Sequence, residues 1–194
     1  MKRICVFCGS ATGARPAYAA AARDLGEALV ARGLGLVYGG GSVGLMGVLA
    51  DAVLAAGGEV IGVIPGPLAS RELAHAGLTA LHVVDSMHER KAMMASLCDG
   101  FVALPGGLGT FEETLEVLTW AQLGIHRKPV GVLNVEGYWD GLRHLLAHAV
   151  GEGFVRPEYA ALLLFGTTAA ELLDRVAAWR SPALARVWLA PSQT

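Results

Sequence analysis

The chain has 194 residues, 15 Lys+Arg against 17 Asp+Glu for a net charge of −2, and 54% hydrophobic residues. That composition excludes an intrinsically disordered chain, and with no basic excess there is no field to hold nucleic acid or an acidic membrane surface. Mean hydropathy is high at +0.49, yet Gly, Arg, Asp or Glu interrupts every apolar run before the ~18 residues a membrane span requires.

A strand is predicted at residues 3–8, directly after Met1-Lys2 and with no signal-peptide apolar region before it, so a cytoplasmic protein is expected. The strand carries Cys5-Val6-Phe7-Cys8. Positions i and i+3 of a strand point to opposite faces, so this C-x-x-C reads as packing rather than a redox or metal pair. A helix follows at 16–32, then a strand at 34–38 that ends in Gly39-Gly40-Gly41-Ser42-Val43-Gly44. A helix at 43–56 leads to a strand at 59–64, the turn Pro65-Gly66-Pro67, and the charged pair Arg71-Glu72. Next come a strand at 80–84 and a helix at 87–97, which opens on Met87-His88-Glu89-Arg90-Lys91. The strand at 100–104 runs into Pro105-Gly106-Gly107-Leu108-Gly109-Thr110-Phe111-Glu112-Glu113, with a helix predicted from 111 to 123. A strand at 129–133, a helix at 138–152, a strand at 162–165 and a helix at 168–180 complete the series.

Strands that alternate with helices along the chain imply an α/β fold: a three-layer, doubly wound, Rossmann-like parallel sheet with helices on both faces. One domain is expected over 1–180, with 181–194 as a peripheral tail. Four glycine loops fall at the carboxyl ends of strands, the edge where open α/β sheets bind ligands. Glycine admits close backbone approach, and the free N–H groups of a following helix favour phosphate, so the pattern points to a nucleotide or sugar-phosphate site. Gly39-x-Gly41-x-x-Gly44 matches the dinucleotide fingerprint, but the next strand ends in Pro65-Gly66 rather than the acid that would hold a ribose hydroxyl.

Three polar segments stand out as candidates for chemistry: Arg71-Glu72, where Glu72 has a plain surface charge as its alternative, Met87 to Lys91, and Pro105 to Glu113. Arg90 and Lys91 sit in the first turn of a helix that follows a strand end, where an arginine can hold phosphate or a leaving group; the plain alternative is a solvated basic face. Thr110 and Glu113 have the spacing of a capping box, which would explain both without function. A carboxylate in that first turn is expected to keep a low pKa and stay ionised. Such an anion can hold sugar hydroxyls, steer water or stabilise an oxocarbenium-like centre.

On these residues the chain resembles the Lonely Guy (LOG) family, formerly labelled lysine decarboxylase-like. Pro105 to Glu113 looks like that family's P-G-G-x-G-T-x-x-E signature. Cys8-Gly9-Ser10, Gly39 to Gly47, Met87 to Lys91, Thr119 to His126 and Lys128 to Asn134 resemble its other blocks in order, up to about Trp179. The resemblance implies a phosphoribohydrolase that works as a homodimer, in some members as a hexamer, with no metal and no cofactor. It would split the N-glycosidic bond of cytokinin riboside 5′-monophosphates, and AMP, into free base and ribose 5-phosphate. It implies Arg90 and Glu113 as the catalytic pair. Substrate contacts are expected from Ser10, Gly41, Glu72, Arg90, Lys91, Gly107, Leu108, Gly109, Thr110, Phe111, Glu112, Glu113 and Thr119. Leu108 departs from the tyrosine common in the family, which bears on base preference.

Competing readings have physical tests. A pyridoxal decarboxylase needs a Schiff-base lysine, and of Lys2, Lys91 and Lys128 only Lys91 is placed near the loop edge. A nucleotide sensor would use the same pocket without turnover. His144 and His148 stand i, i+4 on a helix, but with no third ligand the expected fate is a solvated face. Trp120, Leu123 and Ile125 suit either the core or a dimer interface.

Overall fold

The computed structural model describes residues 1–69 and 74–182. Short β-rich apolar runs form strands β1 (Arg3–Phe7), β2 (Gly35–Tyr38), β3 (Val60–Pro65), β4 (Ala80–Val84), β5 (Gly100–Ala103), β6 (Val130–Leu133) and β7 (Leu163–Gly166). All adjacent pairs are parallel, in the order β4-β3-β2-β1-β5-β6-β7. The long helices are α1 (Pro16–Ala31), α2 (Gly44–Ala55), α4 (Met87–Leu97), α5 (Leu108–Leu123), α6 (Asp140–Gly151) and α8 (Ala169–Ala178). Two single-turn helices that no pattern in the sequence announced, α3 (Gly66–Ala69) and α7 (Pro157–Ala160), punctuate them.

The strands alternate their side chains between two cores. Ile4, Val6 and Cys8 join Leu25, Leu29, Leu49 and Leu172 under α1, α2 and α8. Cys5 and Phe7 join Met94, Val117, Leu118 and Phe101 under α4 and α5. Cys5 and Cys8 therefore lie on opposite faces, and all three cysteines are buried free thiols. The outer strand β4 departs from the expectation of a sheet buried on both sides: Leu81 and Val83 are exposed. An edge strand has a neighbour on one side only, and so less cover.

The order of strand addition reverses between β1 and β5, the parallel neighbours from which the sheet winds outward both ways. In such sheets the crevice at this switch point is the ligand position. Here the loops after β1 and β5 are stitched together, with the Gly9 N–H donating to the Pro105 carbonyl at 3.1 Å. A Cβ on Gly9 would lie 3.0 Å from the Ala11 carbonyl oxygen and 3.2 Å from the Gly106 Cα, backbone atoms in both cases, so glycine eases the close approach of the two loops.

Two boundaries differ from prediction in ways that matter. Helix α5 starts at Leu108 with Gly107 as its N-cap, three residues before the predicted start. The helix predicted from 138 starts instead at Asp140, after a 3-10 turn over Val135–Gly137. Asn134 sets that delay: its side chain accepts from the Trp139 N–H at 2.7 Å and donates to Asp140 at 2.9 Å.

Candidate active site

A cavity of about 220 Å³ opens at the switch point. The β1 loop contributes Cys8, Gly9 and Ser10; the end of β2 contributes Gly39. The first turn of α5 contributes Gly107, Leu108, Gly109, Thr110 and Glu113, and α4 contributes Arg90 and Met94. The Phe111 N–H makes the first bond of α5, to the Gly107 carbonyl at 3.0 Å. The N–H groups of the preceding helical residues thus have no intrahelical acceptor and present the positive end of the helix to the cavity.

Arg90 and Glu113 meet inside it. Nη1 of Arg90 donates to Oε1 of Glu113 at 3.3 Å, and both side chains are only 10% exposed. Backbone carbonyls hold two other edges of the guanidinium, with Nε donating to the Val63 carbonyl at 3.0 Å and Nη2 to the Gly39 carbonyl at 3.3 Å, and Nη1 also lies 4.0 Å from the Met87 sulfur. These carbonyls sit at the carboxyl ends of β3 and β2, so the sheet fixes the cation. Burial disfavours the Glu113 anion more than Arg90 favours it, and the carboxyl is pushed up to about 7. That corrects the expectation of a low pKa: a position near the helix start does not offset removal from water. It also overturns the capping-box reading. With Gly107 as N-cap, Thr110 is the third helical residue and its side chain packs against Gly106.

Lys91 stands beside Arg90 but points elsewhere. Its Nζ donates to Glu112 at 2.6 Å and to Glu116 at 2.9 Å, outside the cavity lining. Burial works against its charge, yet the hydrogen bonds to these two carboxylates prevail and the pKa is raised. A lysine held protonated is no nucleophile, so Lys91 does not suit a pyridoxal Schiff base. Lys128 donates to the Ala95 carbonyl at 2.5 Å and lies away from the cavity, so it offers no alternative.

Of the expected contacts, the fold brings together Ser10, Arg90, Gly107, Leu108, Gly109, Thr110 and Glu113. Five others lie outside the lining. Gly41 bridges to Ala74, Lys91 and Glu112 pair with each other, and Phe111 packs on Tyr138 and Trp139. Thr119 donates to the Leu115 carbonyl at 2.8 Å, nine residues and roughly 13 Å along the axis from Thr110. Glu72 lies outside the described residues. Sequence reasoning missed the cavity's apolar lining, Met46 and Met94. Helical spacing marks both only as buried, and nothing local distinguishes a core methionine from one under a ligand. It also missed Tyr138, whose hydroxyl donates to the Gly106 carbonyl and braces the glycine loop. His144 and His148 are exposed on α6, and Trp120 is half-buried against the α4–α5 core.

Comparison with known proteins bears on this geometry. A family model described as "Possible lysine decarboxylase" matches residues 46–176. The cytokinin riboside 5′-monophosphate phosphoribohydrolase LOG7 of Arabidopsis thaliana is 54% identical over 90% of this chain and 81% of its own length. The enzyme LOG of Oryza sativa subsp. japonica, of the same name, is 52% identical over 89% of this chain and 71% of its own. Among solved structures, the molybdenum cofactor carrier protein of Chlamydomonas reinhardtii superposes with a TM-score of 0.67, covering 91% of this chain and 96% of that one. At 22% identity that likeness carries the fold alone.

Proposed function

The chain belongs to the LOG family, and on that premise we propose that it is a phosphoribohydrolase acting on cytokinin riboside 5′-monophosphates and on AMP. The observation that carries the reading is the buried Arg90–Glu113 pair facing a cavity at the N-terminus of α5. The 5′-phosphate binds the free N–H groups of the first turn of α5, where backbone donors and the helix dipole favour an anion. Ser10 bonds the substrate from the opposite loop. Glu113, in its anionic form, orients water toward the anomeric carbon and stabilises the oxocarbenium-like charge that develops as the base departs. The water oxygen bonds to that carbon, the C–N bond breaks, and the proton balance closes on the leaving nitrogen. Arg90 positions the substrate and opposes negative charge on the departing base.

Five other expected contacts take indirect roles. Lys91 holds Glu112 and Glu116, locking α4 to α5 beside the reacting pair. Gly41, Phe111 and Thr119 support the loop and helix. Glu72 is retained as a substrate contact on the resemblance alone. The homodimer and the cytoplasmic location belong to this reading too. Leu108, Phe111 and Leu115, at i, i+3 and i+7 of α5, are exposed; such a stripe is what a second copy would cover. No helix among the described residues is long and apolar enough to cross a membrane.

The test is chromatography of the protein incubated with AMP and, separately, with N6-isopentenyl-AMP. Free base together with ribose 5-phosphate is expected from both. Binding without release from either would overturn hydrolysis in favour of a nucleotide sensor.

A further inference from the structure

The glycine motif that resembles a dinucleotide fingerprint has another use here. Gly39 follows the last residue of β2, and a Cβ built on it would collide with Nη2 of Arg90 and stand 3.2 Å from the Met46 sulfur. Its φ lies outside the left-handed region, so the backbone would accept alanine without strain. What the position needs is the empty volume. That volume holds the guanidinium, while the carbonyl of the same residue accepts from Nη2 at 3.3 Å. With Nε on the Val63 carbonyl at 3.0 Å, two edges of the cation are used by the sheet and Nη1 is left aimed at Glu113.

We propose that Gly39 is a positioning residue for the reaction: by having no side chain, it lets Arg90 lie flat on the ends of β2 and β3 and reach Glu113. The proposal rests on the reading of Arg90 and Glu113 as the reacting pair. A methyl group at position 39 would occupy the place of Nη2 and drive the guanidinium out of its cradle. Glu113 would then lose its nearest cation. The titratable groups within electrostatic reach of Glu113 are Arg90 and Lys91 of α4, Glu112 and Glu116 of its own helix, and the Cys5 and Cys8 thiols at β1. Of these, Arg90 exerts the largest pull toward the anion. Withdrawing it moves the titration of Glu113 upward.

The experiment titrates the Glu113 carboxyl by ¹³C NMR in wild type and Gly39→Ala, with thermal unfolding and the pH profile of base release measured alongside. We expect an upward shift of the carboxyl titration, the same shift in the acidic limb of the profile, and a kcat lower by roughly tenfold to hundredfold. In an Arg90→Lys background, which lacks Nη2, Gly39→Ala should add almost nothing to the loss. A folded Gly39→Ala protein with an unshifted Glu113 titration overturns the proposal, as does an undiminished effect in the Arg90→Lys background. If Gly39→Ala does not fold, Arg90→Ala in the same chain must restore folding by removing the clash; failure to restore it also overturns the proposal. Should the wild-type protein release no base, the hydrolase reading falls, and the carboxyl titration still decides the role of Gly39.

Discussion

Ser86-x-x-Glu89 and Thr110-x-x-Glu113 are the same local message with opposite outcomes. At the start of α4 the Ser86 hydroxyl accepts from the Glu89 N–H at 3.1 Å, and the Glu89 carboxylate reaches back to the Asp85 N–H at 3.0 Å. Thr168 and Glu171 do the same at α8, with bonds of 3.2 Å and of 2.8 Å to the Thr167 N–H. Those glutamates are on the surface and cap helices. At α5, Gly107 takes the N-cap position instead, the helix starts earlier, and Glu113 turns inward to Arg90. The lesson is that a capping motif is only as good as the competition for the cap. A glycine loop pinned to the β1 loop can start the helix first and release the glutamate for other work.

The largest effect that would break this comparison is catalytic. Glu113→Gln should lower turnover by roughly 10²- to 10⁴-fold with nucleotide binding retained, read by base release and by calorimetry. If it turns over normally, Glu113 belongs with Glu89 and Glu171 after all. Next is pH. The anion is the working form and its pKa is about 7, so kcat/KM should rise as pH increases through about 7, a limb that Glu113→Gln abolishes. Stability carries the reverse sign. The folded pKa lies above the ordinary glutamate value of about 4.3. The contribution of Glu113 is therefore full below that value and is lost as pH rises through about 7. Thermal unfolding of wild type should weaken relative to Glu113→Gln across that window. A cap at α8 behaves otherwise: Thr168→Ala should cost about 1 kcal/mol in denaturant unfolding and leave turnover per folded molecule unchanged. Smallest of all is Glu112→Gln. Its carboxylate is half exposed and Lys91 keeps Glu116, so the loss should stay within about 1 kcal/mol.

Much of the molecule could be read without coordinates. Alternating apolar runs and amphipathic stretches predict all seven strands and the six long helices, because a parallel sheet covered on both faces leaves that period in any chain that forms one. The glycine loops mark the ligand edge for a chemical reason, since glycine admits close backbone approach, as where Gly9 is stitched to Pro105. The family signature singles out Arg90 and Glu113. Tertiary structure alone decides what each neighbour does. Adjacent residues on a helix point about 100° apart, so Arg90 enters the cavity while Lys91 turns to Glu112 and Glu116. Glu113 has no intrinsic reason to titrate near neutrality; that follows from burial between α4 and β1, which no window of sequence contains. Gly39 is the same kind of case. Its glycine is visible in the sequence, but the guanidinium that needs the space arrives from 51 residues away, and only the folded sheet brings them together.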